Sequence, residues 1–249
     1  MLQMEPYTVD DQTMLVRPGT CDAKIVDEVI GRHTYDRRYM PIGGRDEVWA
    51  DLGAHIGSWS RRYAPRVSHV YAFEPSPDTY QVLQANVGQM PNVTTINAAV
   101  AREAGTAEFY RRSVTNSRDS LIPYFKRNML DPVQVNVMAA NNAVNRLGIN
   151  CIKADIEGSE VELVDSINWS PIKKLVMEWS FDFHPDMRIA RHAIAHLEQH
   201  FEHVKVPSTV YKTVPPDKSK PQPQPPGFEH EWPWFWYPRA VLIFAWDDE

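Results

Sequence analysis

Cysteine is scarce in this chain of 249 residues: only Cys21 and Cys151 occur, and they lie far apart in the sequence. Two such cysteines provide no disulfide framework, so a small secreted fold held by disulfides is excluded. Long apolar runs are also missing, because no segment approaches the roughly 18 apolar residues that a membrane span requires. No basic segment followed by an apolar stretch opens the chain either. We therefore expect a cytoplasmic protein without a membrane span.

Positive charge is in short supply as well. The formal net charge is -6 at pH 7, with 26 Lys and Arg against 32 Asp and Glu, and the pI is near 5.9. Without a net basic field to attract phosphates, a nucleic-acid partner is disfavoured, and a small or neutral acceptor fits the composition better. The length allows a sizeable core, and we expect one domain. The sequence does not indicate an oligomeric state.

The stretch from Val48 to Ser60, VWADLGAHIGSWS, organises the rest of the chain. A short apolar run typical of a strand ends in Asp51, and a helix-like segment follows the loop from Gly53 to Gly57, which we call the cofactor loop. Gly53 allows a backbone conformation that a Cβ would block, and Gly57 lets the helix begin close to the strand. The unpaired N–H groups at that helix start then face a ligand in the crevice.

The glycine spacing of the cofactor loop argues against a dinucleotide. A pyrophosphate requires G-x-G-x-x-G, whereas this loop has G-x-x-x-G after an acid. A cationic ligand is the better interpretation, because Asp51 can order the loop by accepting its amides or can hold an ammonium group. About 20 residues further on, a second strand ends in Glu74, whose carboxylate can accept both hydroxyls of a ribose. A βα turn that binds nothing is the alternative for the loop alone, and Glu74 favours binding.

Segments of the chain resemble, in order, the successive motifs of the FkbM-type methyltransferases. The segments are DLGAHIG from Asp51, AFEPSP from Ala72, NAAV from Asn97 and IKADIEGSE from Ile152, of which the last is the most specific. The resemblance implies methyl transfer from S-adenosylmethionine, usually to a hydroxyl of a sugar or of a polyketide-like natural product. The residues that it assigns to cofactor binding are Asp51, Gly53, Ala54, His55, Gly57, Glu74, Pro75, Ser76, Asn97 and Ala98.

The resemblance and the order of strand-like and helix-like segments predict an α/β, Rossmann-like class I methyltransferase fold. We expect a mostly parallel seven-stranded sheet with an antiparallel last strand and helices on both faces. The domain divides into an N-terminal extension (1–45), a Rossmann-like core (46–206), a Pro- and Trp-rich loop (207–238) and a last strand with the tail (239–249). Within the extension we predict a helix from Asp22 to about Ile30, capped by Thr20 or Asp22.

Acids near the ends of two strands are the catalytic candidates. The fourth core strand is predicted from Ile149 to Ile156, and Asp155 lies at its carboxyl end, where open α/β sheets bind ligands. Asp155 and Glu157 project to the same side while the chain stays extended. Glu178 ends the fifth strand. A hydroxyl acceptor needs its proton removed, and Asp155 is the first candidate for the base, with Glu157 and Glu178 behind it; alternatively, these acids bind a divalent cation that lowers the hydroxyl pKa.

Candidates for acceptor binding are scattered over the chain. They come from a polar segment of the N-terminal extension, a polar loop before residue 133, the exit from the fifth strand and an aromatic run near the C-terminus. In methyltransferases of this architecture the N-terminal extension often covers the acceptor pocket. Solvated connections and sheet-edge packing are the alternatives for these segments. The candidates are His33, Tyr35, Arg38, Asn116, Ser120, His184, Trp234 and Trp236.

The helix after the fourth strand is predicted to begin with Ser159 as its cap and Glu160 near its positive end. Further on, His192, His196 and His200 follow helical spacing and can chelate a metal, but no acid or cysteine is spaced to complete the set. A polar helix face is the better interpretation, and we expect no metal site.

The leading interpretation is a S-adenosylmethionine-dependent O-methyltransferase that modifies a glycan or a small hydroxylated natural product. Two alternatives remain open: a non-catalytic module that binds the cofactor or a partner, and an N-methyltransferase with a different small acceptor. A nucleic-acid N-methyltransferase is disfavoured, because the fourth strand is followed by Asp155-Ile156-Glu157-Gly158 in place of an Asn/Asp-Pro-Pro-aromatic run.

Overall fold

The computed structural model describes residues 2–111, 119–123, 132–181, 183–184, 186–207, 212–214 and 237–248. The strands are β1 (Glu5–Val9), β2 (Gln12–Val16), β3 (Gly44–Leu52), β4 (Val67–Phe73), β5 (Val93–Ile96), β6 (Ala99–Ala101), β7 (Gly105–Phe109), β8 (Val133–Ala139), β9 (Cys151–Ala154), β10 (Lys174–Ser180), β11 (His203–Lys205), β12 (Lys212–Val214) and β13 (Tyr237–Trp246). The helices are α1 (Asp22–Val26), α2 (Ser58–Tyr63), α3 (Pro77–Val87), α4 (Ala140–Leu147), α5 (Glu160–Ser166) and α6 (Met187–Leu197), with a π-helical turn at Asp27–Gly31 and a 3₁₀ turn at Ala64–Arg66.

The main sheet has the strand order β11-β13-β10-β9-β3-β4-β5, with β12 paired to β13 at one edge. The strands from β10 to β5 run parallel, and β13 is antiparallel to both of its neighbours, β10 and β11. A separate small sheet has the order β6-β8-β7, and β1 and β2 form a hairpin. The arrangement confirms the predicted Rossmann-like sheet with an antiparallel last strand.

Alternate side chains of each central strand pack on opposite faces of the sheet, as the pleat requires. On one face, Leu52 and Met177 belong to a buried cluster with residues of α4, α5 and α6, among them Leu163 and Leu197. A strand that is covered on both faces needs apolar side chains in both registers. The central strands satisfy this requirement, which explains why their sequences are nearly continuous apolar runs.

The opposite face is covered by α2 and α3. Trp49 and Val176 are buried there against Trp59 and Tyr63 of α2 and Leu83 of α3. The rings of Trp49 and Trp59 lie 5.1 Å apart between centroids, and those of Trp59 and Tyr63 lie 4.9 Å apart. These aromatic contacts fix α2 on the sheet, and α2 is the helix that begins directly after the cofactor loop.

The sheet reverses its winding direction between β3 and β9, which are adjacent and parallel. In open α/β sheets, ligands bind in the crevice outside the carboxyl ends of the strands at such a switch point. Here the carboxyl ends of β3 and β9 are in contact, because the Asp155 N–H donates to the Leu52 carbonyl at 3.0 Å. The fold therefore brings the cofactor loop and the residues after β9 together.

Local details differ from the prediction. The helix predicted from Asp22 to Ile30 is α-helical only to Val26 and continues as the π-helical turn. Its N-cap is Cys21, which makes no side-chain cap bond. Of the two predicted caps, the Thr20 hydroxyl accepts the Asp22 N–H at 3.2 Å, whereas the Asp22 carboxylate accepts bonds from the Arg17 backbone and guanidinium. The strand predicted from residues 149 to 156 is limited to β9.

Within the described ranges, no helix combines the length and apolar character needed to cross a membrane. The N-terminal hairpin of β1 and β2 has no counterpart in the sequence-based prediction. It is tied to the core by Asn86, whose side chain bonds to the backbone of Leu15 and Ile56.

Gly53→Ala should be more destabilising than the same change at Gly148. Both glycines have positive φ, +71° and +66°, so each alanine carries a left-handed backbone cost of roughly 1–2 kcal/mol. A Cβ at Gly53 would lie 1.9 Å from the Asp155 carbonyl oxygen, whereas a Cβ at Gly148 meets nothing within 4 Å. Urea unfolding should show an additional loss of at least about 2 kcal/mol for Gly53→Ala. Equal losses would contradict the close contact between the two chain segments.

Candidate active site

The cofactor loop has an unusual backbone. Gly53, His55 and Gly57 all have positive φ, at +71°, +51° and +91°. The Ala54 N–H donates to the Phe73 carbonyl at 2.8 Å, and the Gly57 N–H donates to the Ala54 carbonyl at 2.9 Å. A left-handed histidine is uncommon and persists only where its surroundings hold it. The loop is therefore a fixed turn anchored to the end of β4.

The prediction that Asp51 accepts the amides of the cofactor loop is wrong. Its carboxylate is fully buried and accepts the Ser60 hydroxyl at 2.7 Å. It also forms a 3.0 Å ion pair with the Lys153 ammonium. Lys153 in turn donates to the Gly53 carbonyl at 2.9 Å. The ammonium that Asp51 holds thus belongs to the protein, and Asp51 orders the loop through Lys153.

Lys153 stays charged although it is only 4% exposed. Burial alone would lower its pKa, but Asp51, Asp155 and Glu178 outweigh that effect, so the pKa of Lys153 is raised. Burying an ammonium requires such compensation. One lysine therefore connects Asp51 at the end of β3 with the catalytic candidates after β9 and in β10.

Glu74 follows β4, where its buried carboxylate faces the cofactor loop. One oxygen accepts the His55 N–H and the other accepts the Ser76 N–H, each at 2.9 Å. Burial is the main cause that raises the pKa of Glu74 to about 7, and the nearby charge of Asp119 adds to it. Each carboxylate oxygen has a second lone pair. Glu74 can therefore accept two further hydrogen bonds from a ligand.

The other predicted cofactor residues of this region lie together. The Asn97 side chain donates to the carbonyls of Glu74 and Pro75, at 2.8 and 3.1 Å. The Ser76 hydroxyl accepts a bond from Thr79 at 3.3 Å, and Ala98 is buried beside them. The Asn97 side chain therefore ties the start of the segment after β5 to the segment after β4.

Buried polar atoms near the cofactor loop lack hydrogen-bond partners within the described chain. They include both ring nitrogens of His55 and the Ser58 hydroxyl, although the His55 Nε2 lies 3.5 Å from the Asp22 carboxylate. Buried polar groups are normally satisfied, so such atoms call for a ligand or water. With Glu74 opposite, they provide donors and acceptors that fit the polar groups of S-adenosylmethionine.

The three catalytic candidates converge at the switch point, but not as strand alternation predicts. The strand ends at Ala154, and Glu157 has a φ of +43°, so the chain is not extended between Asp155 and Glu157. The Glu157 carboxylate accepts the Ser180 hydroxyl at 3.1 Å. Glu178 is buried in β10. Among the described residues, no side chain hydrogen-bonds to the Asp155 carboxylate, which interacts with Lys153 through charge.

Two acceptor candidates join this group. The buried Ser120 donates its hydroxyl to the Glu157 carbonyl. His184 bonds to the Gly158 carbonyl at 2.6 Å. Ser159 occupies the N-cap of α5 without a side-chain cap bond, and Glu160 accepts the Gly158 N–H instead. The turn after β9 is thus held by side chains from three other parts of the chain.

The N-terminal candidates His33 and Tyr35 are held by contacts with α2 and with the core. His33 and Asp36 contact Arg62 in the last turn of α2, which is the end of that helix away from the cofactor loop. Tyr35 is 4% exposed and packs in the core, and Arg38 is exposed. Asn116, Trp234 and Trp236 lie outside the described residues.

Sequence reasoning missed Arg17 and the pairing of Lys153. Arg17 forms an ion pair with Asp22 at 2.9 Å and donates to Thr79 at 2.9 Å, which ties the N-terminal hairpin to the Glu74 side of the crevice. No local pattern marks an arginine in an N-terminal segment for this role. The lysine belonged to a recognised motif, but its partner Asp51 lies 102 positions earlier, so sequence spacing could not pair them.

Residues 51–206, more than half of the chain, match the family model described as Methyltransferase FkbM domain. The chain is 24% identical over 194 residues to Methyltransferase sdnD of Sordaria araneosa, covering 62% of this chain and 73% of that protein. It is 27% identical over 200 residues to Methyltransferase 1 of Beauveria bassiana (strain ARSEF 2860), covering 68% and 78%.

Among solved structures, the chain is similar to precorrin-6y C5,15-methyltransferase from Geobacter metallireducens GS-15, with a TM-score of 0.46, 14% identity and coverage of 94% of this chain and 93% of that one. It is also similar to M. jannaschii TYW2 in complex with AdoMet, with a TM-score of 0.44, 14% identity and coverage of 97% and 84%.

His55→Gln should change how stability depends on pH. Burial is the main cause that lowers the pKa of His55 to about 4. Between about pH 6.5 and 4, the unfolded chain therefore binds a proton that the folded chain does not, and wild-type stability falls as the pH falls. Without cofactor, urea unfolding should show His55→Gln gaining up to about 3 kcal/mol relative to wild type between pH 7 and 4.

The matched control is His192→Gln, which removes an exposed imidazole whose side chain is 67% accessible. A stability difference between His55→Gln and wild type that is the same at both pH values would contradict the burial of a neutral His55.

Proposed function

The chain belongs to the FkbM methyltransferase family, whose methyl donor is S-adenosylmethionine, and we propose that it methylates a hydroxyl oxygen of a sugar, a glycan or a small natural product. One observation carries the proposal. The backbone of Asp155 contacts Gly53 so closely that no Cβ fits between them. An acid that can take a proton therefore lies directly beside the loop proposed to hold the methyl donor.

We place the donor along the cofactor loop, with Glu74 accepting the ribose hydroxyls. Glu74 supports this role because its carboxylate is buried yet retains free lone pairs. Asn97 and Ala98 would border the adenine, with the small Ala98 leaving room for the ring. His55 and Ser58 offer unpartnered polar atoms to the rest of the cofactor. Asp51 contributes indirectly, because its ion pair with Lys153 holds the Gly53 carbonyl.

When bound, S-adenosylmethionine supplies an activated methyl group for displacement at its sulfonium carbon. The protein's larger contribution is alignment, for which roughly 7–11 kcal/mol can be available. A neutral hydroxyl must also lose its proton as it reacts. We propose Asp155 as the proton acceptor, because its carboxylate has no side-chain hydrogen bond from a described residue, whereas Glu157 is bonded to Ser180. Glu157 and Glu178 remain the second candidates.

The composition supports a small or neutral acceptor, since the net charge is -6 and a polynucleotide would be repelled. A cytoplasmic location is proposed as well, because the chain contains only two cysteines, Cys21 and Cys151, far apart in the sequence, and a chain without a disulfide framework is typical of reducing compartments.

Glu74→Ala should weaken S-adenosylmethionine binding. Hydrogen bonds to a charged group contribute about 1.5–3 kcal/mol each, so the loss of the carboxylate should raise the dissociation constant roughly 10²-fold. Isothermal titration calorimetry measures this directly. Glu103→Ala, which removes an exposed acid outside the site, is the control and should bind as wild type does. Unchanged affinity in Glu74→Ala would contradict the proposed ribose contact.

Asp155→Asn should leave cofactor affinity within a few-fold of wild type but lower methyl transfer by about 10²–10⁴, the usual contribution of a general base. Labelled methyl transfer to a panel of sugars, nucleotide sugars, lipids and hydroxylated natural products provides the assay, and mass spectrometry of the product identifies the methylated atom. Asp165→Asn, an exposed acid on α5, controls for the loss of charge.

Single-turnover rates that are equal in Asp155→Asn and wild type would remove Asp155 from the mechanism. Methylation of nitrogen in place of oxygen would overturn the proposed acceptor class. Loss of wild-type activity in the presence of a chelator would instead favour a cation that lowers the pKa of the hydroxyl.

A further inference from the structure

The turn after β9 contains consecutive residues in the left-handed region. Glu157 has a φ of +43° and Gly158 a φ of +106°. A Cβ at Gly158 would lie 2.7 Å from the Phe183 ring, so glycine is required there. Such a backbone persists only when its surroundings over-determine it.

Both polar groups of Gly158 are held by one pair of side chains. Its N–H donates to the two Glu160 carboxylate oxygens, at 3.0 and 2.9 Å. Its carbonyl lies 2.6 Å from His184 Nε2, and that nitrogen is also 3.5 Å from a Glu160 oxygen. We call Glu160 and His184 together the Gly158 clamp.

The clamp determines the tautomer of His184. A carbonyl oxygen only accepts hydrogen bonds, so the Nε2 atom must carry a proton and donate it. Glu160 is fully buried and the His184 side chain is 15% exposed. A buried carboxylate is stable only when it is bonded and paired. Glu160 is hydrogen-bonded by Gly158 and paired with His184, so it meets both conditions. The buried carboxylate therefore helps to fix the conformation of the turn.

The electrostatics of the pair agree with this geometry. Burial is the main cause that raises the pKa of Glu160, opposed by the bonds from His184 and Gly158. Burial would lower the pKa of His184, but the bonds to Glu160 and Gly158 outweigh it and raise that pKa. The contact between Glu160 and His184 thus stabilises each side chain in the position from which it bonds to Gly158.

The turn lies between two fixed points. At one end the Asp155 N–H donates to the Leu52 carbonyl, and at the other the Ser159 N–H reaches the Ile156 carbonyl at 3.5 Å. Asp155 and Glu157 are therefore oriented by the anchor at Leu52 and by whatever fixes Gly158. Helix capping alone would require only the bond from Gly158 N–H to Glu160, and it does not explain the half-buried histidine on the carbonyl side.

We propose that Glu160 and His184 are positioning residues that orient Asp155 and Glu157 toward the acceptor by clamping both sides of Gly158. The assignment rests on the proposed function, because the acids need a precise orientation only if they serve methyl transfer. His184 acts here as a hydrogen-bond donor through Nε2, and it does not take the proton of the acceptor.

The test compares His184→Gln with His184→Ala in the full-length chain. A glutamine side-chain amide can still donate to the Gly158 carbonyl, whereas alanine cannot. We expect His184→Ala to lower kcat roughly 10- to 100-fold, the effect of a small misplacement of catalytic groups. His184→Gln should recover most of that loss, while the affinity for S-adenosylmethionine by calorimetry stays within a few-fold in both variants. His192→Ala, on the exposed side of α6, is the control.

A second measurement does not depend on the acceptor. Hydrogen exchange, followed by mass spectrometry with S-adenosylmethionine present, should be faster in the peptide spanning residues 155–160 for Glu160→Gln and His184→Ala than for wild type. Exchange that is unchanged in both variants overturns the clamp.

Equal loss of kcat in His184→Gln and His184→Ala overturns the positioning role and points to the imidazole itself as a proton acceptor. If the wild-type chain transfers no methyl group to oxygen in any acceptor, the proposed function fails and the catalytic role of the clamp fails with it. Faster exchange would then identify the clamp as a structural element only, so the two failures remain distinguishable.

Discussion

The buried ion pair between Lys153 and Asp51 is the interaction on which the rest of the site depends. It lies across the switch point, because Asp51 and Lys153 are directly opposite each other on the adjacent strands β3 and β9. The same ammonium bonds to the Gly53 carbonyl and interacts with the charges of Asp155 and Glu178. Breaking a buried pair by removing one partner costs about 3–5 kcal/mol. One interaction therefore couples the conformation of the cofactor loop to the charges of the catalytic candidates.

Burial favours the neutral form of two groups, one in the cofactor loop and one beside it. It raises the pKa of Glu74 to about 7 and lowers that of His55 to about 4. The backbone N–H of His55 nevertheless bonds to the Glu74 carboxylate. Near neutral pH the His55 imidazole is uncharged, and no cationic side chain among the described residues forms an ion pair with Glu74. A donor that is itself positively charged would favour the ionised form of Glu74, which is consistent with a sulfonium cofactor.

On the acceptor side of the crevice, the turn after β9 positions the side chains more than the regular strands do. Glu157 and Gly158 follow the end of β9 by three and four residues and have left-handed backbones. Side chains of Ser120, Ser180 and His184, which come from other segments, hold this turn. Strand alternation predicts that Asp155 and Glu157 share a side only while the chain stays extended, and the left-handed backbone of Glu157 does not meet that condition. The expected side-chain cap from Ser159 was wrong, because Ser159 is the N-cap of α5 but its side chain makes no cap bond.

The amino-acid sequence by itself determined the fold class and the location of the crevice. Apolar runs, turn glycines and acids at strand ends are local signals, and parallel strands must place their carboxyl ends at one edge of the sheet. Only the tertiary structure decided which partner each charge has. The pairs of Asp51 with Lys153, of Arg17 with Thr79 and of Glu160 with His184 join segments between 24 and 102 positions apart in the printed chain. Which distant groups meet depends on strand order and helix packing, and no local spacing encodes that.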